Sequence, residues 1–87
     1  MTVHVEFHGV PREQAGMAET EIEAETLGEA IRELRRRLPT LEPVCLAVGR
    51  LSAGHLANLN ARIFVSDPDT ALIAGDRLLV VSAAGGG

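Results

Sequence analysis

The sequence predicts an α+β fold, with a mixed sheet of four to five strands, one main helix across one face and a flexible C-terminal tail. Three observations support this prediction. Apolar and polar residues alternate over residues 2–8 and 18–25, which is typical of half-buried strands. An apolar stripe at helical spacing runs from residue 27 to residue 38. The apolar segment 77–81 predicts a buried last strand, and three glycines follow it at the end of the sequence.

The first two predicted strands should pair as a hairpin. The first runs from Thr2 to His8, and the second from Ala18 to Glu25, where glutamates at alternate positions face water. Gly9-Val10-Pro11 interrupts the chain after the first strand. We therefore expect a loop over residues 12–17, closed by Gly16.

The main helix has a clear predicted start and end. Thr26-Leu27-Gly28-Glu29 has the spacing of a capping box, with Thr26 as the N-cap. Pro39 should end the helix, because proline cannot continue the hydrogen-bond ladder. Residues 41–51 are ambiguous, since their apolar spacing suits a short helix but Gly49 soon interrupts it.

The second half of the chain predicts further strands. Residues 56–65 should contain one, most clearly Arg62–Val65, and Asp67-Pro68-Asp69 should form a turn. Gly75-Asp76 turns the chain into the final strand. Because that strand is strongly apolar, we expect it in the middle of the sheet beside the first strand, in an arrangement of the β-grasp kind. The residues on inward faces give the predicted core: Val3, Val5, Phe7, Ile22, Leu27, Ile31, Leu34, Leu38, Phe64, Leu78 and Val80.

The composition argues against several classes of function. The 87 residues carry a net charge of −4 and include neither tryptophan nor tyrosine, which does not suit nucleic-acid binding. No apolar run approaches the length of a membrane span, and residues 1–6 lack the pattern of a signal peptide. The single cysteine, Cys45, cannot form an internal disulfide, which fits a reducing cytoplasm. A separate catalytic pocket is hard to build in so small a core.

The C-terminal segment Ala83–Gly87 is predicted to be a flexible tail beyond a β-grasp domain at residues 1–82. Glycine has a large ordering entropy and no side chain to pack. Extended, the last six residues would reach about 20 Å beyond the fold. A diglycine with a free carboxylate can enter a slot that any Cβ would obstruct. The simpler interpretation is a frayed terminus, which most domains have.

Several short motifs together point to a family. They are the Val3–Phe7 strand, the helix start Thr26–Ala30, Asn60, the segment Val65–Thr70, Ala74-Gly75-Asp76, the apolar last strand and Gly86-Gly87. In this combination the chain resembles the ThiS/MoaD family of ubiquitin-like sulfur carriers, over nearly its whole length. It departs from the family at Asn60-Ala61, where Asn-Gly is frequent, in a longer connector over residues 45–59, and at Gly85.

The resemblance implies a function for the tail. The carboxylate of Gly87 would be adenylated and then converted to a thiocarboxylate, with Gly86 completing the functional diglycine. The chain would be a protein cosubstrate rather than an enzyme, with no bound cofactor or metal. The implied partners are an E1-like adenylating enzyme that uses ATP, a persulfide protein as sulfur donor, and an acceptor such as the molybdopterin synthase large subunit or thiazole synthase. No nucleic acid or membrane is implied.

Other side chains allow alternative interpretations. His4, Glu6 and His8 share one strand face and could hold a metal, although no fourth ligand is evident and a solvated face is the simpler interpretation. Cys45 could accept sulfur, but its apolar neighbours favour a buried thiol. The three arginines 35–37 could dock an acidic partner or only stabilise the end of the helix. The glutamates of the second strand could bind a partner or only keep a sheet edge soluble.

Two classes of function therefore stay open. The first is a sulfur carrier in cofactor biosynthesis, of the molybdopterin or thiamine type. The second is a ubiquitin-like modifier or binding module whose Gly87 would form an isopeptide bond with a lysine. Both use an adenylated tail and differ in the acceptor atom, which is sulfur in the first and nitrogen in the second.

Overall fold

The computed structural model describes residues 1–83. Its elements in chain order are β1 (Thr2–Phe7), α1 (Val10–Ala15), β2 (Glu19–Glu23), α2 (Leu27–Arg37), a 3₁₀ turn (Pro39–Leu41), β3 (His55–Leu59), β4 (Ile63–Val65) and β5 (Arg77–Ser82). The segment predicted as one strand over 56–65 thus forms a hairpin of two. β2 is shorter at both ends than the predicted strand over residues 18–25.

The strands of residues 1–83 form a mixed five-stranded sheet in the order β2-β1-β5-β3-β4. β1 pairs antiparallel with β2 and parallel with β5, whereas β5 also pairs antiparallel with β3. The apolar β5 therefore lies at the centre beside β1, which confirms the predicted β-grasp arrangement.

Helix α2 covers one face of this sheet, as the sequence predicts. The Oγ1 of Thr26 accepts a hydrogen bond from the Glu29 amide at 3.1 Å, and the Glu29 carboxylate accepts one from the Glu25 amide at 2.9 Å. These bonds satisfy amide groups that the first turn leaves free. The apolar stripe of α2, including Ile31 and Leu34, is buried in the core.

Most of the predicted core is confirmed, with two corrections. Leu38 is only partly buried, although it packs against the core. Phe64 was predicted to be buried and is 60% exposed. In β4 Phe64 lies opposite Asn58 of β3, on the face away from α2, while Val65 lies opposite the buried Ala57. The run Ile63–Val65 is apolar on both faces, so alternation alone does not give its orientation.

The expected loop over residues 12–17 is largely wrong, because residues 10–15 form helix α1. Pro11 lies in the first turn of α1, where its missing amide hydrogen removes no helical bond. Gly16 ends α1 in the left-handed conformation, with φ 73°, and its amide donates to the Arg12 carbonyl. These two residues interrupt the strand pattern because they begin and end a helix.

The segment over residues 41–51, whose structure was ambiguous from the sequence, forms no α-helix. After the 3₁₀ turn it continues through hydrogen-bonded turns to an isolated bridge between Cys45 and Leu51. It nevertheless adds Leu41, Val44 and Cys45 to the core, each of them 0% exposed. Burial of Cys45 was predicted, whereas Leu41 and Val44 were not in the predicted core, because irregular backbone has no period from which burial can be predicted.

Candidate functional site

The base of the tail is held by backbone pairing. Leu56 and His55 of β3 lie opposite Val81 and Ser82 of β5. The Ala83 amide donates to the Gly54 carbonyl at 2.7 Å, so contact with the domain extends one residue beyond the predicted boundary at residue 82. The predicted site residues Gly86 and Gly87 lie outside the described residues, as does the rest of the predicted tail. Their flexibility stays a prediction.

The sheet face opposite α2 has an apolar half on β5, β3 and β4. We call Leu56, Phe64, Leu79 and Val81 the apolar patch. Their register partners place them on one face, since Leu56 lies opposite Val81, and Asn58 lies opposite both Leu79 and Phe64. Leu56 is 38% exposed, and Leu79 and Val81 are half-buried. The patch adjoins the end of β5, so it lies beside the base of the tail.

Asn58 places a polar group within the apolar patch. Its Oδ1 is buried and has no hydrogen-bond partner among residues 1–83. A buried carbonyl oxygen without a donor is costly. The arrangement can therefore accept a hydrogen bond from a molecule that covers the patch.

The other half of this sheet face is charged. Glu19 and Glu21 of β2 are exposed, which confirms the predicted row of carboxylates facing water. His4 Nε2 lies 3.2 Å from Glu19 Oε2, and the guanidinium of Arg77 pairs with Glu6. This charged half borders the apolar patch along β5, where Leu79 follows Arg77 on the same face.

A metal site in this charged half has weak support. In the part of the chain that the structure describes, His4, Glu6 and Glu19 place ligand atoms within 4.8 Å of one another. His8, which the sequence suggested as a ligand, lies 3.9 Å from Glu6 instead, and Glu19 comes from the neighbouring strand. Each of these groups already has an oppositely charged or hydrogen-bonding neighbour. The cluster is explained as a set of hydrogen-bonded polar side chains and the Arg77–Glu6 ion pair on an exposed sheet face.

Cys45 is placed in the core, which supports its interpretation as a buried thiol. The residue is 0% exposed. Burial raises the pKa of the Cys45 thiol to about 12, while the charge of Arg35 acts in the opposite direction. Because the thiolate is the nucleophile, this group is inert at neutral pH.

Sequence reasoning did not single out the pair of Ser52 and His55 near the base of the tail. Ser52 Oγ lies 3.0 Å from His55 Nδ1 and 2.7 Å from the Pro43 carbonyl oxygen. Because a carbonyl only accepts, the serine hydroxyl donates to Pro43 and the imidazole donates to the serine. The imidazole therefore does not act as a base toward this hydroxyl, and the pair closes the connector onto β3.

A model of the ThiS family matches residues 5–87, almost the whole chain. The chain belongs to the ThiS family. A search of curated proteins found no significant match. Within this ThiS family member, residues 1–83 contain no helix that is long and apolar enough to cross a membrane.

Solved structures share the fold at low sequence identity. SAMP1 from Haloferax volcanii is 23% identical, with 100% of each chain covered and a TM-score of 0.84. A chain of the Amycolatopsis orientalis BexX/CysO complex is 20% identical, with 98% of this chain and 99% of that one covered and a TM-score of 0.80. A chain of the complex of subunits 1 and 2 of the Helicobacter pylori molybdopterin-converting factor is 22% identical, with 100% of each chain covered and a TM-score of 0.69.

Proposed function

We propose that this ThiS family member is a sulfur carrier whose Gly87 carboxylate is adenylated and then converted to a thiocarboxylate. The observation that carries the proposal is the family match, which extends through the final diglycine to residue 87. The fold contributes a rigid β5 that leads directly into the tail.

The proposed chemistry balances without a resident cofactor. The Gly87 carboxylate attacks the α-phosphorus of ATP, forming an acyl adenylate and releasing pyrophosphate. The terminal sulfur of a persulfide then attacks the acyl carbon, the C–S bond forms, and AMP leaves with the electron pair of the C–O bond. A thiol cleaves the resulting acyl disulfide, so that a disulfide forms and the thiocarboxylate is released. Gly86 leaves the reacting carbon unhindered, because it has no Cβ.

The proposal requires three kinds of partner. They are an E1-like adenylating enzyme, a persulfide protein, and an acceptor such as the molybdopterin synthase large subunit or thiazole synthase, all in the cytoplasm. Two of the similar structures are protein complexes, BexX/CysO and subunits 1 and 2 of molybdopterin-converting factor, which supports a carrier that binds partner proteins.

We propose that partners dock on the apolar patch. Its position beside the base of the tail would let one protein hold the domain and receive Gly87 in its active site. Exposed apolar groups of this kind mark interaction surfaces, and Phe64 is the most exposed member of the patch. A partner N–H or O–H would satisfy Asn58 Oδ1. Phe64→Ala should therefore lower kcat/KM for activation while leaving the domain folded.

The alternative is a ubiquitin-like modifier that is joined through Gly87 to lysines of other proteins. The likeness to SAMP1, a small archaeal modifier protein, keeps this alternative open. It shares the adenylation step and differs in the atom that attacks the adenylate. A covalent adduct to a lysine of a second protein would favour this alternative over sulfur transfer.

The test is to incubate the protein with its adenylating enzyme, ATP and a persulfide donor, and then to measure its intact mass. We expect an increase equal to replacement of one oxygen by sulfur, located on the C-terminal peptide. One residue appended after Gly87 should abolish the increase without affecting the fold, and Gly86→Val should do the same. Cys45→Ser is the matched control and should still gain sulfur.

Two outcomes would contradict the proposal. The first is sulfur found on Cys45 rather than on the C-terminal peptide. The second is full activation of the variant with the appended residue, because that variant has no carboxylate at Gly87.

A further inference from the structure

This chain contains arginine but no lysine. The 87 residues include eight lysines and arginines in total, and every one of them is an arginine. A lysine amine is a good nucleophile when it is neutral, whereas the guanidinium of arginine stays protonated in proteins and does not attack acyl groups. The domain therefore offers no side-chain amine to an activated carboxylate.

We propose that the domain is an acyl donor that cannot act as an acyl acceptor: its own groups do not attack an activated Gly87, in the same copy or in another. The proposal rests on the proposed function, because only an activated C-terminus needs such protection. An arginine-rich composition alone would explain the missing lysines. It would not explain why the Cys45 thiol is also buried and why the Met1 amine is paired with Glu23.

The first blocked nucleophile is the thiol of Cys45. A surface thiol would exchange with an acyl adenylate or a thiocarboxylate ester and withdraw the acyl group from the partner. Cys45 is instead enclosed in the core by the connector, with its residue 0% exposed. Its protonated form is favoured well above neutral pH, because burial raises its pKa to about 12.

The second blocked nucleophile is the amino group of Met1, the only aliphatic amine among residues 1–83. Its nitrogen lies 2.9 Å from Glu23 Oε2, and the other oxygen of Glu23 accepts a hydrogen bond from Thr2 Oγ1 at 2.8 Å. The hydrogen bond and charge of Glu23 raise the pKa of this amino group. An ammonium has no lone pair, so Glu23 lowers the fraction that can react.

The third class is the hydroxyl groups, which need a base to become nucleophiles. Ser52 has an imidazole neighbour in His55, close to the base of the tail. The hydroxyl proton of Ser52 is donated to the Pro43 carbonyl, so the His55 imidazole does not remove this proton. The nearest serine–histidine pair is therefore arranged as a structural contact.

An amine on this chain would consume the activated tail by self-acylation. An amine would attack the acyl carbon of the adenylate, a C–N bond would form, AMP would leave with the electron pair of the C–O bond, and the amine would lose one proton to water. Between two copies this would give a dimer, and repetition would give a chain of copies. Without an acceptor amine, the acyl group stays available for a partner's sulfur or amine.

The experiment uses a chemically activated protein, so it needs no adenylating enzyme. The probe is the Gly87 thioester of 2-mercaptoethanesulfonate, prepared from an intein fusion without a lysine-containing tag and incubated at mildly alkaline pH. Intact mass then distinguishes hydrolysis from dimer formation and from cyclisation by loss of the thiol. We expect the unaltered chain to show hydrolysis and neither of the other products. Added Nα-acetyllysine should form an adduct, which shows that the thioester is reactive.

Two conservative variants supply the missing nucleophile. Arg50→Lys places an amine in a cleft shared with His55 and Leu56, near the base of the tail, where four extended residues reach about 13 Å. Arg62→Lys places an amine in the β3–β4 turn, at the far end of β3. Both positions are exposed, so the fold should tolerate the change. We expect Arg50→Lys to cyclise and to dimerise, and Arg62→Lys only to dimerise.

Each outcome decides the proposal. A dimer or cyclic product from the unaltered chain would overturn the proposal. The proposal would also be overturned if the lysine variants self-acylated no more than the unaltered chain while the Nα-acetyllysine adduct still formed. In a further variant, Glu23→Gln, acylation of the Met1 amine should increase, and no increase would show that Glu23 does not protect this amine. If the thioester of the unaltered chain does not self-acylate but the adenylating enzyme fails to activate Gly87, only the proposed function is overturned.

Discussion

The side chain of Asn60 holds Asp76 by a hydrogen bond of 3.0 Å between Asn60 Nδ2 and Asp76 Oδ1. The other carboxylate oxygen of Asp76 accepts from the Ile73 amide, and Asn60 Oδ1 accepts from the Arg77 amide. Two turns that are distant in sequence are thus joined at the start of β5. The Gly75-Asp76 motif, which carried part of the family resemblance, therefore has a structural role here.

Removing this carboxylate should destabilise the domain. Asp76→Ala leaves the Asn60 amide and the Ile73 amide without their acceptor in a largely buried position, so we expect a loss of about 1–3 kcal/mol in the free energy of unfolding. Urea denaturation measures this loss. Asp69→Ala removes an exposed carboxylate and should change stability by less than about 0.5 kcal/mol. Equal effects of the two substitutions would contradict the structural role of Asp76.

The two phenylalanines of the chain should respond differently to truncation. Phe7 is 1% exposed, so Phe7→Ala should cost about 3–5 kcal/mol in the free energy of unfolding. Phe64 lies in the apolar patch, and Phe64→Ala should cost less than about 0.5 kcal/mol. Thermal and urea unfolding of both variants test this. A large loss for Phe64→Ala would mean that the side chain supports the fold and would remove it from the docking proposal.

The turn between β3 and β4 contains local strain that glycine would relieve. Asn60 and Ala61 have φ angles of 56° and 60°, both positive, as in a primed turn, and the Arg62 amide donates to the Leu59 carbonyl. The tight turn thus forms although alanine replaces the glycine that is frequent in the family. Alanine is unfavourable at positive φ, so Ala61→Gly should raise stability by about 0.5–1 kcal/mol.

The matched substitution Gly54→Ala should change stability in the opposite direction. Gly54 has a φ of 85°, and a Cβ added there would meet no atom within 4 Å. Gly54→Ala therefore tests backbone strain alone and should lower stability by about 1 kcal/mol. If Ala61→Gly lowered stability as well, the turn would not have the geometry described.

Alkaline pH should destabilise the domain through Cys45. The thiol is an acid whose pKa is raised to about 12 in the folded state, against a reference value of 9.0. Below pH 9 both states keep the proton, whereas between pH 9 and about 12 only the unfolded state loses it. The free energy of unfolding should therefore fall with rising pH in this interval, by at most about 1.4 kcal/mol per pH unit.

This interval isolates Cys45 unusually well, because the chain has neither tyrosine nor lysine. The Met1 amino group also has a raised pKa, and its ion pair with Glu23 is lost as pH rises through that value. Cys45→Ala separates the two, since it should flatten the alkaline limb while retaining the Met1 contribution. Urea titrations at several pH values measure both proteins, and identical slopes would contradict the assignment.

The sequence predicted best what depends on regular periods. The core faces of β1, β2, α2 and β5 follow from alternation or helical spacing. The apolar run over residues 77–81 predicted a central β5, which the strand order confirms. Helix α1 was missed because Pro11 and Gly16 act as breakers in a strand but as start and end signals in a helix. Choosing between these roles depends on whether the six residues of α1 can pack against the rest of the domain, which tertiary contacts decide.

The candidate site was predicted only in part. The diglycine alone also fits a frayed terminus, and the family resemblance of the other motifs gave it a role. The apolar patch was not predicted, since its members come from three strands and Phe64 was assigned to the core. Strand order and register bring Leu56 beside Val81, and neither is encoded in any local pattern.

The parallel pairing of β1 with β5 also bears on the order of events during synthesis. Val5 lies opposite Leu78, so the middle of the sheet joins the first part of the chain to the last. Contacts between such distant residues form late, because the long loop must close first. Half of the apolar patch, Leu79 and Val81, comes from the same late strand. If partners dock on the apolar patch as proposed, an activating enzyme would bind only fully synthesised and folded chains. An incomplete polypeptide would not be adenylated.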